Sequence, residues 1–182
     1  MKKELNILLS ASGFMFFAGG LFGPLYAIFV EQIGGDLLTA GSAYSVFAVS
    51  AGLLIYVISK WEDRQGHIPF FVFLGYIISA IGYIGYLFVK EPWHLFLLQI
   101  VFGLGQAIGA PAYDGLYSQL MDHGRYVSQW GVWESMTWIV TGIGAVIGGF
   151  IAAIFGFNTL FIIMAVLSGI GALIAARLIS RV

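Results

Sequence analysis

The sequence contains no cysteine, which excludes disulfides, thiolate catalysis and cysteine-type metal sites. Charge is nearly as scarce. Only 9% of the 182 residues are Asp, Glu, Lys or Arg, against roughly 25% in an average soluble domain. A soluble fold of this size could not cover 60% hydrophobic residues with so thin a polar shell. The net charge of -1 leaves no electrostatic footprint for nucleic acid, so no nucleic-acid partner is expected. What the chain has instead is long apolar runs, and these make it an all-α integral membrane protein surrounded by lipid.

A spanning helix needs about 20 mainly apolar residues. Cutting at the polar and Pro/Gly punctuation predicts six segments: Leu5–Val30, Thr39–Ser59, Ile68–Val89, His94–Met121, Ser128–Phe155 and Asn158–Leu178. The breaks are "EQIGGDLL", "KWEDRQGH", "KEPW", "DHGRYV" and the very short "GFN". Runs such as "FFVFLGYIISAIGYIGYLFV" lack the alternation that a β-barrel strand requires. Lys2 and Lys3 ahead of an apolar run resemble a signal peptide, but the run is too long for an h-region and reads as a retained helix.

Lys2, Lys3, Lys60, Arg64, Arg125, Arg177 and Arg181 fall on one side of this topology, and Lys90 stands alone on the other. The positive-inside rule then puts both termini and the "KWEDRQGH" turn in the cytosol, with the plasma (inner) membrane as the expected location. A weak repeat runs through the single domain 1–182. "GPLYAIFVEQIGG" closes the first segment and "APAYDGLYSQLMDHG" closes the fourth, aligning Pro24 with Pro111 and Tyr26 with Tyr113. Those two segments run in opposite directions, so the expectation is two inverted three-helix repeats, about 1–90 and 91–182.

Three fragments together resemble the major facilitator superfamily. The "SKWEDRQGH" turn supplies Asp63, Arg64 and Gly66 at the spacing of the family's G-x-x-x-D-[RK]-x-G-[RK]-[RK] motif, with Ser59 and His67–Ile68 departing from it. "GAVIGG" in the fifth segment is similar to G-P-x-x-G-G, with Gly144, Gly148 and Gly149 in place and Ala145 where proline is usual. "QIVFGLGQA" in the fourth is similar to R-x-x-x-G-x-G, keeping Gly103 and Gly105 but carrying Gln99 where Arg is common.

The resemblance implies a secondary active transporter that moves a small solute by alternating access. It covers six helices where such transporters have twelve, built as two six-helix halves. The chain is therefore expected either to be a half-size protein pairing with itself as a homodimer or to be the N-terminal half of a longer transporter. The resemblance makes Asp63, Arg64 and Gly66 a cytoplasmic gate. Asp63 would cap a helix N-terminus of the facing half, and Gly66 would permit the tight turn. Charges that merely set topology are the plainer reading of the same residues. The resemblance also puts Gly144, Gly148 and Gly149 at the interface between halves, while internal helix packing would use the same glycines.

Two acids lie inside apolar runs: Asp114 in the fourth segment and Glu134 in the fifth. Counting along the helices puts both on the order of 10–14 Å from the cytoplasmic ends. A charge at that depth costs about 2.5–3.5 kcal/mol on the gentler insertion scale. No Lys or Arg shares the level, so both are candidates for proton coupling, with hydrogen-bonded helix pairing or direct solute contact as the alternatives.

Gln99, Gly103, Gln106, Ala110, Tyr113 and Tyr117 share one helical stripe. In the resembled fold the first and fourth helices line a cavity, which makes Gln99, Gln106, Tyr113 and Tyr26 candidate lining, with Asn6, Ser10 and Gly13 beside them. Interhelical glue is the competing role for the amides. Trp130 and Trp138 stand four residues either side of Glu134 and are read as cavity wall or packing. The third and sixth segments, the most uniformly apolar, are expected to face lipid, and Trp93 and His94 to anchor the outer boundary. No H-E-x-x-H or G-x-S-x-G motif is present, so an intramembrane enzyme is disfavoured, and no cofactor or metal is called for. A non-transporting assembly or scaffold protein remains the rival to the transporter, whose partners are a small solute and, with the acids, protons.

Overall fold

The computed structural model describes residues 2–181, and its regular elements there are all helices joined by short turns. Helix α1 (Lys3–Phe22) passes through a 3₁₀ turn, Gly23–Leu25, into the short α2 (Tyr26–Gln32). Together they form one apolar span, Lys3–Gln32. The interruption falls at Pro24, whose ring removes a backbone donor and disfavours a continuous α ladder. Gly34 (φ 85°) then turns the chain into α3 (Leu37–Gln65). Asp36 caps that helix, with Oδ1 accepting from both the amide and the hydroxyl of Thr39 at 2.7 Å.

Helix α3 corrects the expected boundary. It continues six residues past Ser59, so "KWEDRQ" is its last turns rather than a loop. Lys, Glu, Arg and Gln are good helix formers. At 29 residues the helix is about 44 Å long, enough to carry them beyond a hydrocarbon core of about 30 Å. Gly66 ends it in the left-handed conformation (φ 70°), with its amide on the Glu62 carbonyl. Then α4 (Ile68–Gly85) begins at once, with Pro69 in its first turn, and closes in a 3₁₀ turn, Tyr86–Phe88.

Helix α5 (Pro92–Leu120) opens on a reciprocal cap in which the Glu91 side chain and the His94 ring each take the other's backbone amide. His94 is thereby a capping residue, and Trp93 Nε1 joins it by donating to Glu91 Oε2 at 2.7 Å. The final element, α6 (Tyr126–Ala176), has 51 residues, about 76 Å of helix and more than twice what one crossing needs. Gly156 divides it at φ 79°, ψ 170°, within the expected "GFN" break. The halves 126–155 and 157–176 are called α6a and α6b below. The five long apolar stretches among the described residues thus make six crossings of an integral membrane protein.

Packing is set by glycine. A Cβ on Gly20 would stand 2.8 Å from the Thr141 backbone, and one on Gly144 would stand 2.9 Å from the Phe17 carbonyl, so α1 and α6a run with their backbones in contact. Gly148 meets the Leu21 carbonyl more closely still. Gly171 brings α6b onto α1 at Ala11, Gly103 brings α5 onto α3 at Ser50, and Gly75 meets Gly109 between α4 and α5. Two apolar clusters fill the spaces. One gathers Leu8, Val72, Leu116 and Ala172, the other Leu21, Tyr86, Leu160 and Phe161. Tyr86 and Phe161 stack with centroids 4.8 Å apart.

The third segment, expected to face lipid, keeps Phe70, Ile81, Ile84 and Phe88 exposed but also buries a face within the chain. Half of the most apolar window of Ile68–Phe88 is buried within the chain, compared with 11% of Leu37–Gln65. Part of α6b is buried as well, through Leu160, Phe161, Met164 and Ala172. Uniform apolarity cannot separate lipid contact from protein contact, because lipid tails and leucine side chains are equally apolar.

Candidate functional site

A cavity of about 520 Å³ opens among α1, α4, α5 and α6a. Of the predicted lining, Gln106, Tyr113 and Asp114 reach it, all from one face of α5. Gln106 sits at the midpoint of α5, 14 residues from either end, and its side chain is exposed. Tyr113 is buried, with its hydroxyl 3.1 Å from Ser12 Oγ of α1. Asp114 is exposed toward the cavity. The opposite wall comes from residues that sequence reasoning missed: Tyr76, Ser79 and Tyr83 on α4, and Trp133 on α6a.

Gln99 and Tyr26 belong elsewhere. They line a second cavity of about 360 Å³ at the end of the bundle away from Gly66, where Gln99 Nε2 donates to the Tyr26 hydroxyl at 2.9 Å. Tyr44 and Phe47 of α3 complete its rim.

The tryptophans divide differently from the expectation. Trp133, not Trp130 or Trp138, faces the central cavity. Trp130 packs on the Tyr117 ring, centroids 4.8 Å apart, and meets Trp133 edge-on. Trp138 is 72% exposed, and its Nε1 donates to Glu134 Oε2 at 3.1 Å. Because Glu134 and Trp138 are one helical turn apart, their shared face was legible. Which face turned inward was not, because that depends on α1 and α5 and not on α6a itself.

Asp114 and Glu134 therefore do not form a pair. Asp114 stands in the cavity, and Glu134 lies on an exposed face of α6a with Trp138. Ser10 of α1 and Gln106 are exposed as well, so three helices carry exposed polar groups at membrane depth. A lipid-facing surface does not carry such groups without a large cost.

The glycines of "GAVIGG" also separate. Gly144 and Gly148 are buried against α1 of the same chain and are not open to a second half. Gly149 meets nothing within 4 Å. The small residues open to a partner are instead Gly131, Ser135 and Gly142 on α6a, together with Gly41, Ser45, Ala48 and Gly52 on α3.

At the α3–α4 turn, Asp63, Arg64 and Gly66 are all exposed, and neither charged side chain forms an ion pair among the described residues. Lys60 Nζ lies 3.8 Å above the Tyr56 ring, and Trp61 meets Phe71 of α4 with centroids 5.2 Å apart. The turn hides a group that sequence reasoning passed over. Glu62 is 4% exposed, and its Oε1 has no hydrogen-bond partner among the described residues. Across the same end, Gln129 binds the amide and carboxylate of Asp122 at 2.8 and 2.9 Å, and its carbonyl accepts from the Tyr117 hydroxyl. This ties α5 to α6a. No cluster of three His, Asp or Glu side chains suited to a metal occurs among the described residues.

The sequence profile of the Major Facilitator Superfamily matches residues 8–182. The "Uncharacterized MFS-type transporter YitZ" of Bacillus subtilis is 24% identical over 147 residues, covering 81% of this chain and 89% of that protein. The "Uncharacterized MFS-type transporter MJ1560" of Methanocaldococcus jannaschii is 23% identical over 156 residues, 86% of this chain and 40% of its own length. "Quinolone resistance protein NorB" of Staphylococcus aureus is 24% identical over 170 residues, 92% of this chain and 36% of its own length. The chain thus spans most of one relative and well under half of the other two.

Proposed function

Since the chain belongs to the major facilitator superfamily, whose relatives here are named as transporters, we propose that it is a secondary active transporter. In this reading it moves a small solute by alternating access. Two six-helix units, 1–182 of each of two copies, rock about a site near the bilayer midplane. The plasma (inner) membrane, with both termini in the cytosol, is the setting that the Lys and Arg distribution favours.

The observation that carries the reading is the set of exposed polar groups at membrane depth. Ser10, Gln106, Asp114 and Glu134 come from three helices and point away from the chain's own core. Facing lipid, each would cost free energy. Facing a second unit across water, they would line a solute path. The exposed small residues on α3 and α6a suit close helix contact with a second copy. Asp114 and Glu134 are the proton-coupling candidates. The aromatic wall of Tyr76, Tyr83 and Trp133 with one carboxylate and no Lys or Arg suits a neutral or cationic amphipathic solute rather than an anion. The helix pairing supports inverted repeats of about 1–90 and 91–182. Exchanging the first three spans with the last three maps the α1–α6a contact onto α5–α3, and α1–α6b onto α5–α4. The gate role of Asp63, Arg64 and Gly66 needs a facing half, whose helix end Asp63 would cap.

Alignment to less than half of NorB and MJ1560 favours one alternative, a half that works joined to a second, different six-helix unit. Native mass spectrometry in nanodiscs separates these. A predominant two-chain species that takes up solute along a pH gradient in liposomes supports the homodimer. A one-chain species with no flux overturns it. A two-chain species without flux leaves an assembly or scaffold protein.

A further inference from the structure

The two cavities touch. Gly19 of α1 and Tyr83 of α4 line both, and the Tyr83 hydroxyl lies 3.7 Å from where a Cβ on Gly19 would be. On one side of this constriction are Gln99 and Tyr26, at the end of the bundle away from Gly66. On the other are Ser79, Gln106, Tyr113 and Asp114.

The lining is short of protein hydrogen bonds. Tyr76 is 7% exposed and Tyr83 is 8% exposed, yet neither hydroxyl bonds to another described residue. A phenol left dry and unpartnered is costly, and two of them line one space. Water is the natural partner. The cavity is polar on these sides and far larger than the ~30 Å³ share of one water molecule.

We propose that the two cavities form one hydrated branch inside a single six-helix unit, joined between Gly19 and Tyr83, leading water and protons from the end opposite Gly66 to Asp114. The groups facing Asp114 are the phenols of Tyr76 on α4 and Tyr113 on α5, with the Trp133 indole on α6a. No Lys, Arg or His lines either cavity. The walls of the branch come from one half alone, and its Asp114 end opens on the exposed side that carries Gln106. Its use in coupling rests on the transporter reading above, whereas its existence does not.

The chain has no native cysteine, so a single introduced thiol reports access directly. Ser79→Cys in membrane vesicles is labelled with a small impermeant cationic methanethiosulfonate from each face in turn. Ser168→Cys, fully buried and lining neither cavity, is the reference. We expect Ser79→Cys to react at least tenfold faster than the reference, from the face opposite Arg64 only, and Gly19→Leu to abolish the difference. Equal rates for the two thiols, or access only from the Arg64 face, would overturn the branch. Hydroxyl-radical footprinting of the unaltered chain is the second measurement. Tyr83 should oxidise at least tenfold faster than Tyr117, which is fully buried and lines neither cavity, and equal protection would also overturn the proposal.

Discussion

Trp138 donates its indole N–H to Glu134 Oε2 at 3.1 Å, one turn away on an exposed face of α6a. An acid on the outside of a membrane helix, held by one neutral donor, forms no ion pair among the described residues. Glu134→Gln keeps the shape and an acceptor but cannot titrate. If Glu134 couples transport to protons, Glu134→Gln should reduce pH-gradient-driven uptake in proteoliposomes at least tenfold and leave counterflow exchange within about twofold. Trp138→Phe, which removes only the donor, should cost a few-fold. Undiminished gradient-driven uptake in Glu134→Gln would remove the residue from the coupling step.

The membrane class, the crossings and half of the cavity were legible before any coordinates. Apolar runs and their Gly/Pro breaks are local properties, and the spacing of Gln106 and Tyr113 fixes a shared helix face whatever surrounds it. What stayed hidden depends on neighbours. Trp130, Trp133 and Trp138 are distinguished only by which side of α6a meets α1 and α5. Gly144 and Gly149 look alike in "GAVIGG" but have opposite surroundings. Glu62 reads as one more charge in a polar turn until the fold buries it.

That contrast among the glycines is testable. A side chain at Gly148 would drive into the Leu21 backbone, whereas one at Gly149 meets open space. Overpacking of this sort costs about 1–3 kcal/mol and more where backbone must move. Gly148→Val should therefore lower the unfolding temperature clearly, followed by tryptophan fluorescence in detergent. Gly149→Val should leave it within about a degree. Similar destabilisation by the two would contradict the α1–α6a packing.

The Gln99–Tyr26 hydrogen bond crosses from α5 to α2 in a site where Gln99 is 6% exposed. Tyr26→Phe leaves the Gln99 amide without its protein partner and should destabilise the chain by about 0.5–1.5 kcal/mol in denaturant titration. Combining it with Gln99→Leu should restore part of that loss, because no polar group is then stranded. Strict additivity of the two substitutions would show that the bond contributes nothing.

Asp36 lies outside the spans, and its carboxyl is held below its ordinary value, first by the Thr39 hydroxyl and then by the Thr39 amide. A depressed folded-state pKa gives stability that is present above the unfolded carboxylate value and lost as pH falls through the folded one. The start of α3 should therefore keep its cap from neutral pH down to the ordinary carboxylate range and fray below it. Hydrogen exchange at the Thr39 amide, corrected for intrinsic rate, reads this directly. Asp36→Asn keeps a capping oxygen without a titrating charge. It should hold the same protection across the whole range, and fraying that persists in Asp36→Asn would assign the acid sensitivity to another group.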